Sequence, residues 1–430
     1  MTFISRNSRS YFSIVAAILL LGISNLSHAK DEESDAEPEI SLAKLFKKAQ
    51  IEVKGYIDMG YMAHSQMPDP SVQVFDTSKN SFVLNQGSIT ISRLPAEGMG
   101  GLVNLTAGSN AGIICSYGAC SGNNLNSTNN TPGSGGYLDV TQAFMQYAKN
   151  TWTLMGGKYT TLAGVEYIDS GADTNITRSI LFGKIPFTHT GLRAIDIITD
   201  ATTLTLGVNN GWDQVTGMTA SKTLEFALNE AFTKDTSLLL DAYTGNEMVP
   251  VATGALPYVS NGMYTANTFT AYGGANARAG NRTLFDMVFT SNLTQSLTFI
   301  LNADHATQQN EIIGLNQVGT ETYWGFAGYL NYQINDQYRV SLRGEQVHDS
   351  TGAAFADGTG GPLGAGTYGV LVGPNTVREA TLTLGYAPVK AFELRAELRE
   401  DRADKGLFAE SNGLMSQTMT TYGLQGIYKF

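Results

Sequence analysis

Charged and apolar side chains alternate in two segments near the carboxyl end of the chain, 337–347 and 390–400. Within their central parts, 339–345 and 393–399, the charged residues occupy odd-numbered positions and the large apolar ones occupy even-numbered positions. The charged set is Arg339, Arg343, Glu345, Glu393, Arg395, Glu397 and Arg399, with Glu379 at the same parity between them. A strand of period two places the two sets on opposite faces. Rows of fixed charge of both signs could tune ion preference, or they could pair across strands and fill the interior.

A second group of charged residues lies in and around residues 160–187. This segment contains Glu166, Asp169 and Asp173, and it is flanked by Lys158 and Arg193. We expect the segment to fold inward, opposite the arginines of the first group, and to form a constriction with them. The alternative left open is mutual pairing of the charges, which does not exclude the constriction.

The elements that must carry these residues are alternating segments of about ten residues. We predict sixteen strands, near 51–62, 81–93, 101–108, 137–148, 152–159, 188–196, 202–209, 221–228, 236–244, 282–290, 296–305, 322–332, 337–347, 376–386, 390–400 and 418–430. The gaps between them are alternately short and long, which is typical of a transmembrane barrel.

The fold class follows from where the charges can point. An arginine or lysine facing lipid near the bilayer midplane costs about 2–4 kcal/mol, so the apolar set must face lipid and the charged set water. Beyond the amino terminus no apolar run approaches the roughly 20 residues of a spanning helix, and the remaining way to satisfy every backbone group is a closed barrel. We therefore predict an all-β, antiparallel transmembrane barrel of about sixteen strands over residues 51–430.

The orientation of the barrel is predicted from the lengths of its connections. The short turns fall near 94–100, 149–151, 197–201, 229–235, 291–295, 333–336 and 387–389. The long loops fall near 64–80, 109–136, 160–187, 210–220, 245–281, 306–321, 348–375 and 401–417. In bacterial barrels the short turns are periplasmic and the long loops extracellular, which places both termini in the periplasm.

Residues 1–29 are predicted to be a cleaved signal peptide. Arg6 and Arg9 precede an apolar run, Tyr11 to Ile23, and Ser27-His28-Ala29 fits a cleavage site. The run is too short for a membrane anchor. Residues 30–50 are predicted to be an acidic tail followed by a short amphipathic periplasmic helix over 40–49, with an unstructured lead-in as the equal alternative.

The chain carries a net charge of −11 and has no basic stripe, so we expect no nucleic acid as a partner. Cys115 and Cys120 lie close together and could form a disulfide in an oxidising compartment, or remain free thiols. No histidine lies near them to complete a zinc site, and we expect neither metal nor cofactor. The final residue, Phe430, ends an alternating strand and is predicted to be the signal read by the barrel-assembly machinery.

Several motifs resemble the OmpL-like β-barrel porin family. They are Gly157-Lys158-Tyr159, Gly164-Val165-Glu166, Asn175 with Arg178-Ser179, Pro186 to Arg193, Gly207 to Asp213, Leu342 to Glu345 with Asp349, and Leu394 to Arg399 with Asp401. The likeness runs from about residue 51 to the carboxyl terminus, and Tyr167 to Thr174 departs from the family pattern. It implies an outer-membrane channel embedded in lipid, for passive diffusion of small hydrophilic solutes or ions. A homotrimer is expected by analogy with porins of this size.

Two other functions remain as alternatives. A structural or adhesive barrel with a closed lumen would use the long loops equally well. A hydrolase would need an activated nucleophile, and the sequence has no G-x-S-x-G elbow. The candidate pairs are Ser179 with His189, Asp304 with His305, and His348 with Asp349. We expect no enzyme activity, because a histidine beside an aspartate at a strand end is more often surface decoration.

Overall fold

The computed structural model describes residues 42–68, 72–76, 78–117, 137–217, 219–249, 259–260, 263–264, 278–314, 317–355, 373–410 and 414–430. The chain divides into two units, Met1–Ala49 and Gln50–Phe430. In the first unit, Leu42–Ala49 forms helix α1, which lies within the segment where the sequence favours a helix. The predicted signal peptide and acidic tail, residues 1–39, lie outside the described residues.

The second unit is a closed antiparallel barrel of sixteen strands. They are β1 (Glu52–His64), β2 (Ser81–Arg93), β3 (Gly98–Ala107), β4 (Leu138–Lys149), β5 (Trp152–Thr160), β6 (Thr188–Ile197), β7 (Thr202–Asn209), β8 (Thr223–Thr233), β9 (Thr236–Val249), β10 (Arg278–Asn292), β11 (Leu297–Gly314), β12 (Gln317–Gln333), β13 (Tyr338–Asp349), β14 (Asn375–Val389), β15 (Phe392–Ala403) and β16 (Thr418–Lys429). Each strand pairs with its sequence neighbour, and β16 pairs with β1 to close the barrel. Two further pairs of two-residue strands, Val259–Ser260 with Met263–Tyr264 and Phe408–Ala409 with Met415–Ser416, lie in connections.

The barrel is apolar outside and polar inside. On β13, Leu342 is 45% exposed and its neighbour Arg343 is 2% exposed. The same alternation follows β15, where Leu394 and Leu398 are exposed and Arg395 and Arg399 are buried. In a water-soluble sheet the apolar side chains are buried and the charged ones are exposed, and here the exposure is reversed. The two sets match the lipid-facing and lumen-facing sets predicted from parity.

All sixteen predicted strands are present, but several predicted connections are different. The short turn predicted over 387–389 is wrong, because β14 continues to Val389 and the turn is 390–391. The long loop predicted over 306–321 is wrong, because β11 and β12 extend as one hairpin to Gly314 and Gln317. The loop predicted over 109–136 begins with helix α2, Ser109–Tyr117. The short turn predicted over 229–235 shrinks to two residues between β8 and β9. The β11–β12 hairpin escaped prediction because residues 307–311 are all polar and carry no period-two signal.

Residues 161–187, which connect β5 and β6 and are here called the inner loop, pack against the inward faces of several strands. Phe182 and Phe187 of this loop stack with ring centroids 5.1 Å apart. Their apolar cluster includes Tyr243, Leu284 and Tyr323 from strands β9, β10 and β12. Residues of other connections complete the cluster: Val74, Phe75, Ile113, Ile114, Trp212 and Ala354. The interior of the barrel therefore contains a packed apolar core as well as charged walls.

Within the described residues, no helix is both long enough and apolar enough to cross a bilayer. The disulfide predicted between Cys115 and Cys120 falls on side chains outside the described set. At the carboxyl end, the backbone N–H and C=O of Phe430, which follows β16, exchange two hydrogen bonds of 2.9 Å with Gly55 of β1.

Candidate functional site in the barrel lumen

The lumen arginines of β13 and β15 hold the backbone of the inner loop. Each donates hydrogen bonds to one or two carbonyl oxygens of the loop, at distances of 2.6 to 3.4 Å. The pairs are Arg339 with Thr174, Arg395 with Ser170 and Asn175, Arg343 with Thr177, and Arg399 with Arg178. The sequence predicted that these arginines face the lumen, and the structure shows that they also bind the backbone of the inner loop.

Two lumen carboxylates accept the amides of the same loop. Glu345 accepts the N–H groups of Ile180 and Leu181, each at 2.7 Å. Glu397 accepts the N–H groups of Ile176 and Thr177 at 2.6 and 2.9 Å, and the Thr177 hydroxyl at 2.7 Å. These hydrogen bonds satisfy backbone amides that an irregular segment inside a barrel could not otherwise pair.

The same charges also pair with one another, as the pairing alternative expected, while the constriction stays a prediction. Salt bridges join Arg343 to Glu379 at 2.9 Å and to Glu166 at 2.8 Å. On the neighbouring strands, Arg339 and Arg395 both contact Glu393, at 2.6 and 2.8 Å. Arg399 contacts Asp401 at 2.7 Å. The inner loop lies directly against this charged wall, and the arginines and carboxylates of the wall bind the loop backbone. We expected the loop to lie opposite the arginines, across the lumen, and this position is wrong.

A second set of residues holds the beginning of the inner loop on the other side of the barrel. Arg193 on β6 forms a 2.6 Å ion pair with Glu225 on β8. Glu225 also accepts the Tyr243 hydroxyl at 3.1 Å. The Tyr243 oxygen in turn accepts the N–H of Leu162 at 3.0 Å. Arg193 therefore belongs to a separate network from the arginines of β13 and β15.

The end of the inner loop is held by Asp213, in the connection between β7 and β8. One carboxylate oxygen of Asp213 accepts the N–H groups of Phe187 and Thr188, both at 2.8 Å. Burial raises the pKa of Asp213 to about 7, against the lowering effect of those two backbone hydrogen bonds. Next to it, Gly191 has no space for a side chain, because a Cβ there would lie 2.2 Å from the Val208 carbonyl oxygen.

Two predicted site residues are not part of these networks of buried ion pairs. Lys158 lies on β5, where its Nζ is 2.7 Å from the Val140 carbonyl oxygen and 3.5 Å from the Asp139 carboxylate. Asp169 is exposed and accepts a local hydrogen bond, 2.7 Å from the N–H of Gly171. Glu166 and Asp173 are buried, and Asp173 contacts Arg178 at 2.8 Å.

Sequence reasoning missed Glu225, Tyr243, Asp213 and Asp401 as site residues. Glu225 and Tyr243 continue the odd-numbered inward parity of β8 and β9, which was the available signal. Asp213 and Asp401 stand inside the family-like segments. What parity could not supply is the path of the inner loop, because that path determines which inward side chains meet it.

The histidine pairs considered for hydrolysis are not assembled. His189 stacks on Tyr243 at 4.7 Å, while the Ser179 hydroxyl accepts the N–H of Phe182. Adjacent residues of a strand point to opposite faces, and Asp304 is buried where His305 is exposed. In the described part of the chain, no group of three histidine, cysteine, aspartate or glutamate side chains is placed to hold a metal ion.

These features define a class: an outer-membrane β-barrel of the porin type, with a loop folded into a charged lumen. The family described as "putative beta-barrel porin-2, OmpL-like" matches residues 50–430, and the chain belongs to that family.

Solved structures share the fold at low identity. The outer membrane channel DcaP of Acinetobacter baumannii superposes with a TM-score of 0.52 at 14% identity, over 88% of this chain and 97% of that one. Outer-membrane expressed OmpT of Vibrio cholerae gives 0.51 at 9% identity, over 88% and 97%. The anion-selective porin from Comamonas acidovorans gives 0.50 at 9% identity, over 88% and 99%. No curated protein matches the chain.

Proposed function

We propose that the protein forms a water-filled channel for the passive diffusion of small hydrophilic solutes or ions across the outer membrane, without catalysis. The observation that carries this proposal is the charged, polar lumen wall inside an apolar outer surface. Around sixteen strands enclose a space wide enough for an aqueous channel, whereas about eight enclose a filled core. Binding the inner loop to the wall of β13–β15 narrows that space.

The predicted lining residues divide by their environment in this proposal. The buried arginines and carboxylates of β13–β15 hold the loop against the wall. Their charges also produce a fixed electrostatic field in the part of the lumen that the loop borders. The exposed residues of the inner loop, including Tyr167 and Asp169, contact the water that solutes cross. Gly171 of this stretch accepts a 2.8 Å hydrogen bond from Lys429 near the end of β16. Because β16 ends on the periplasmic side in the predicted orientation, this bond supports a position near the periplasmic mouth.

Single-channel recording in a planar bilayer tests the proposal. The purified, refolded protein should give stepwise, ohmic currents, and their reversal potential in a salt gradient gives the ion preference. A heat-modifiable, folded barrel that carries no current would reject the channel.

One observation favours a second candidate, a barrel whose lumen is closed by its loops. The apolar cluster around Phe182, Phe187 and Tyr323 brings several connections together inside the barrel. A structural or adhesive function would then depend on the extracellular loops. The absence of current together with binding to cells or matrix would support this candidate.

We further propose export by the cleaved signal peptide, insertion by the barrel-assembly machinery and assembly as a homotrimer. The support for the trimer is a fold neighbour, OmpT of Vibrio cholerae, one structure of which is described as a trimer form at a TM-score of 0.50 and 9% identity. Native mass spectrometry of the detergent-solubilised protein should give three times the chain mass, and a single-chain mass would reject the trimer.

A further inference from the structure

Helix α1, Leu42–Ala49, separates apolar and cationic side chains on opposite faces. At 100° per residue, Leu45, Phe46 and Ala49 fall on one side, and Lys44, Lys47 and Lys48 on the other. Leu45 and Phe46 are 45% and 39% exposed. The helix has no acidic residue, so its polar face carries only positive charge.

A helix of this length needs a surface to stabilise it. Isolated helices shorter than roughly 12–15 residues are marginal in water, and α1 has 8. Its stability must therefore come from burial of the apolar face. A cationic polar face opposite leucine and phenylalanine is the pattern of helices that lie in a membrane interface, where lysines meet anionic headgroups.

The chain itself brings α1 to such a surface. Only Gln50 and Ile51 separate the helix from Glu52, the first residue of β1. Two extended residues span at most about 7 Å. In the predicted orientation, with both termini in the periplasm, β1 enters the bilayer from the periplasmic side. The carboxyl end of the helix, at Ala49, is therefore tethered close to the headgroups of the periplasmic leaflet.

We propose that α1 is an interfacial anchor that binds anionic phospholipid of the periplasmic leaflet, with Leu45 and Phe46 inserted among the acyl chains and the three lysines facing phosphate groups. This inference rests on the orientation in the proposed function. It assigns the amino-terminal segment a membrane-binding role that is separate from the channel.

The test uses the full mature chain reconstituted in vesicles of phosphatidylcholine alone or of equal parts phosphatidylcholine and phosphatidylglycerol. An environment-sensitive fluorophore is attached at Ala49→Cys in a background with Cys115→Ser and Cys120→Ser. We expect blue-shifted emission and quenching by doxyl-labelled lipid in the anionic vesicles, both reduced by high salt. Lys44→Gln, Lys47→Gln and Lys48→Gln together should lower the quenching to its value in phosphatidylcholine. Lys234→Gln, at the exposed turn between β8 and β9, is the matched control and should change nothing.

Three outcomes would overturn the inference. A probe that stays in water in both vesicles means that the helix does not touch lipid. Quenching that is unchanged in the triple variant means that the lysines do not select headgroups. A blue shift in both vesicles that doxyl-labelled lipid does not quench means that protein covers the face, either the acidic residues 31–39 or a second copy. Channel conductance should be equal in wild type and triple variant. Absence of current in both proteins would reject the channel, whereas lipid quenching that depends on the three lysines would still support the anchor.

Discussion

Asp169 is the inner-loop carboxylate for which the proposed channel predicts a direct effect on passing ions. It is exposed, whereas Glu166 and Asp173 are buried against Arg343 and Arg178. Two unit charges about 4 Å apart in water interact by ~1 kcal/mol, which salt screens. Asp169→Asn should therefore lower the cation-to-anion permeability ratio several-fold at low salt and less at high salt. Reversal potentials across a salt gradient measure this.

A matched control for that measurement is Asp235→Asn. Asp235 is half-exposed in the turn between β8 and β9, paired at 3.8 Å with Lys234. It carries the same charge outside the lumen and should leave the reversal potential unchanged. Equal effects of the two substitutions would contradict a specific role for Asp169.

Asp213 predicts a pH dependence of stability. Burial raises its pKa to about 7, above the ordinary value near 4. A carboxyl whose pKa is raised on folding contributes stability that is fully present below about pH 4 and is lost as pH rises through about 7. The free energy of unfolding in detergent should therefore fall over this window. Asp213→Asn keeps an oxygen to accept the N–H groups of Phe187 and Thr188, and should flatten this part of the profile. Urea unfolding from pH 4 to 8 checks it, and an identical slope in the variant would contradict the assignment.

The inner loop is the element whose position depends on particular wall residues. Glu397 accepts three hydrogen bonds from Ile176 and Thr177, and charge-assisted bonds contribute about 1.5–3 kcal/mol each. Glu397→Ala should free this part of the loop and raise amide exchange over 174–181 by tenfold or more in hydrogen-exchange mass spectrometry. Glu400→Ala, on the outward face of the same strand, is the control. Unchanged exchange in the Glu397 variant would mean that the arginines and Glu345 hold this part of the loop without Glu397.

The strands were predictable because each has one lipid face and one water face, and period two records that difference. Arg343, Glu345 and Arg395 were assigned to the lumen by parity alone, and the structure places them there. Parity cannot say what an inward charge meets. The partners of Glu397 are backbone amides, which every residue carries, so no side-chain pattern marks them. The β11–β12 extension was missed for a related reason, since its polar residues give both faces the same character.

At the scale of the whole molecule, closure depends on the pairing of the first and last strands. Phe430 follows β16 and completes this seam through its two backbone hydrogen bonds to Gly55. Its ring is 56% exposed and lies over Gly55, where a Cβ would come within 2.5 Å of it. The backbone of Phe430 thus extends the pairing of β1 with β16 by two hydrogen bonds, while more than half of its side chain stays exposed.

This division allows the proposed assembly signal to be separated from stability. Phe430→Ala keeps both backbone hydrogen bonds and removes the ring. We expect the purified variant to refold in detergent with nearly wild-type heat modifiability, while its amount in the outer membrane falls several-fold. Tyr428→Ala, an exposed aromatic on the same strand, serves as the control for general loss of outward aromatic surface. If the variant refolds as poorly as it assembles, the ring acts by stabilising the seam. If cells assemble it normally, Phe430 is not the signal, because the backbone bonds that remain are shared by any residue at this position.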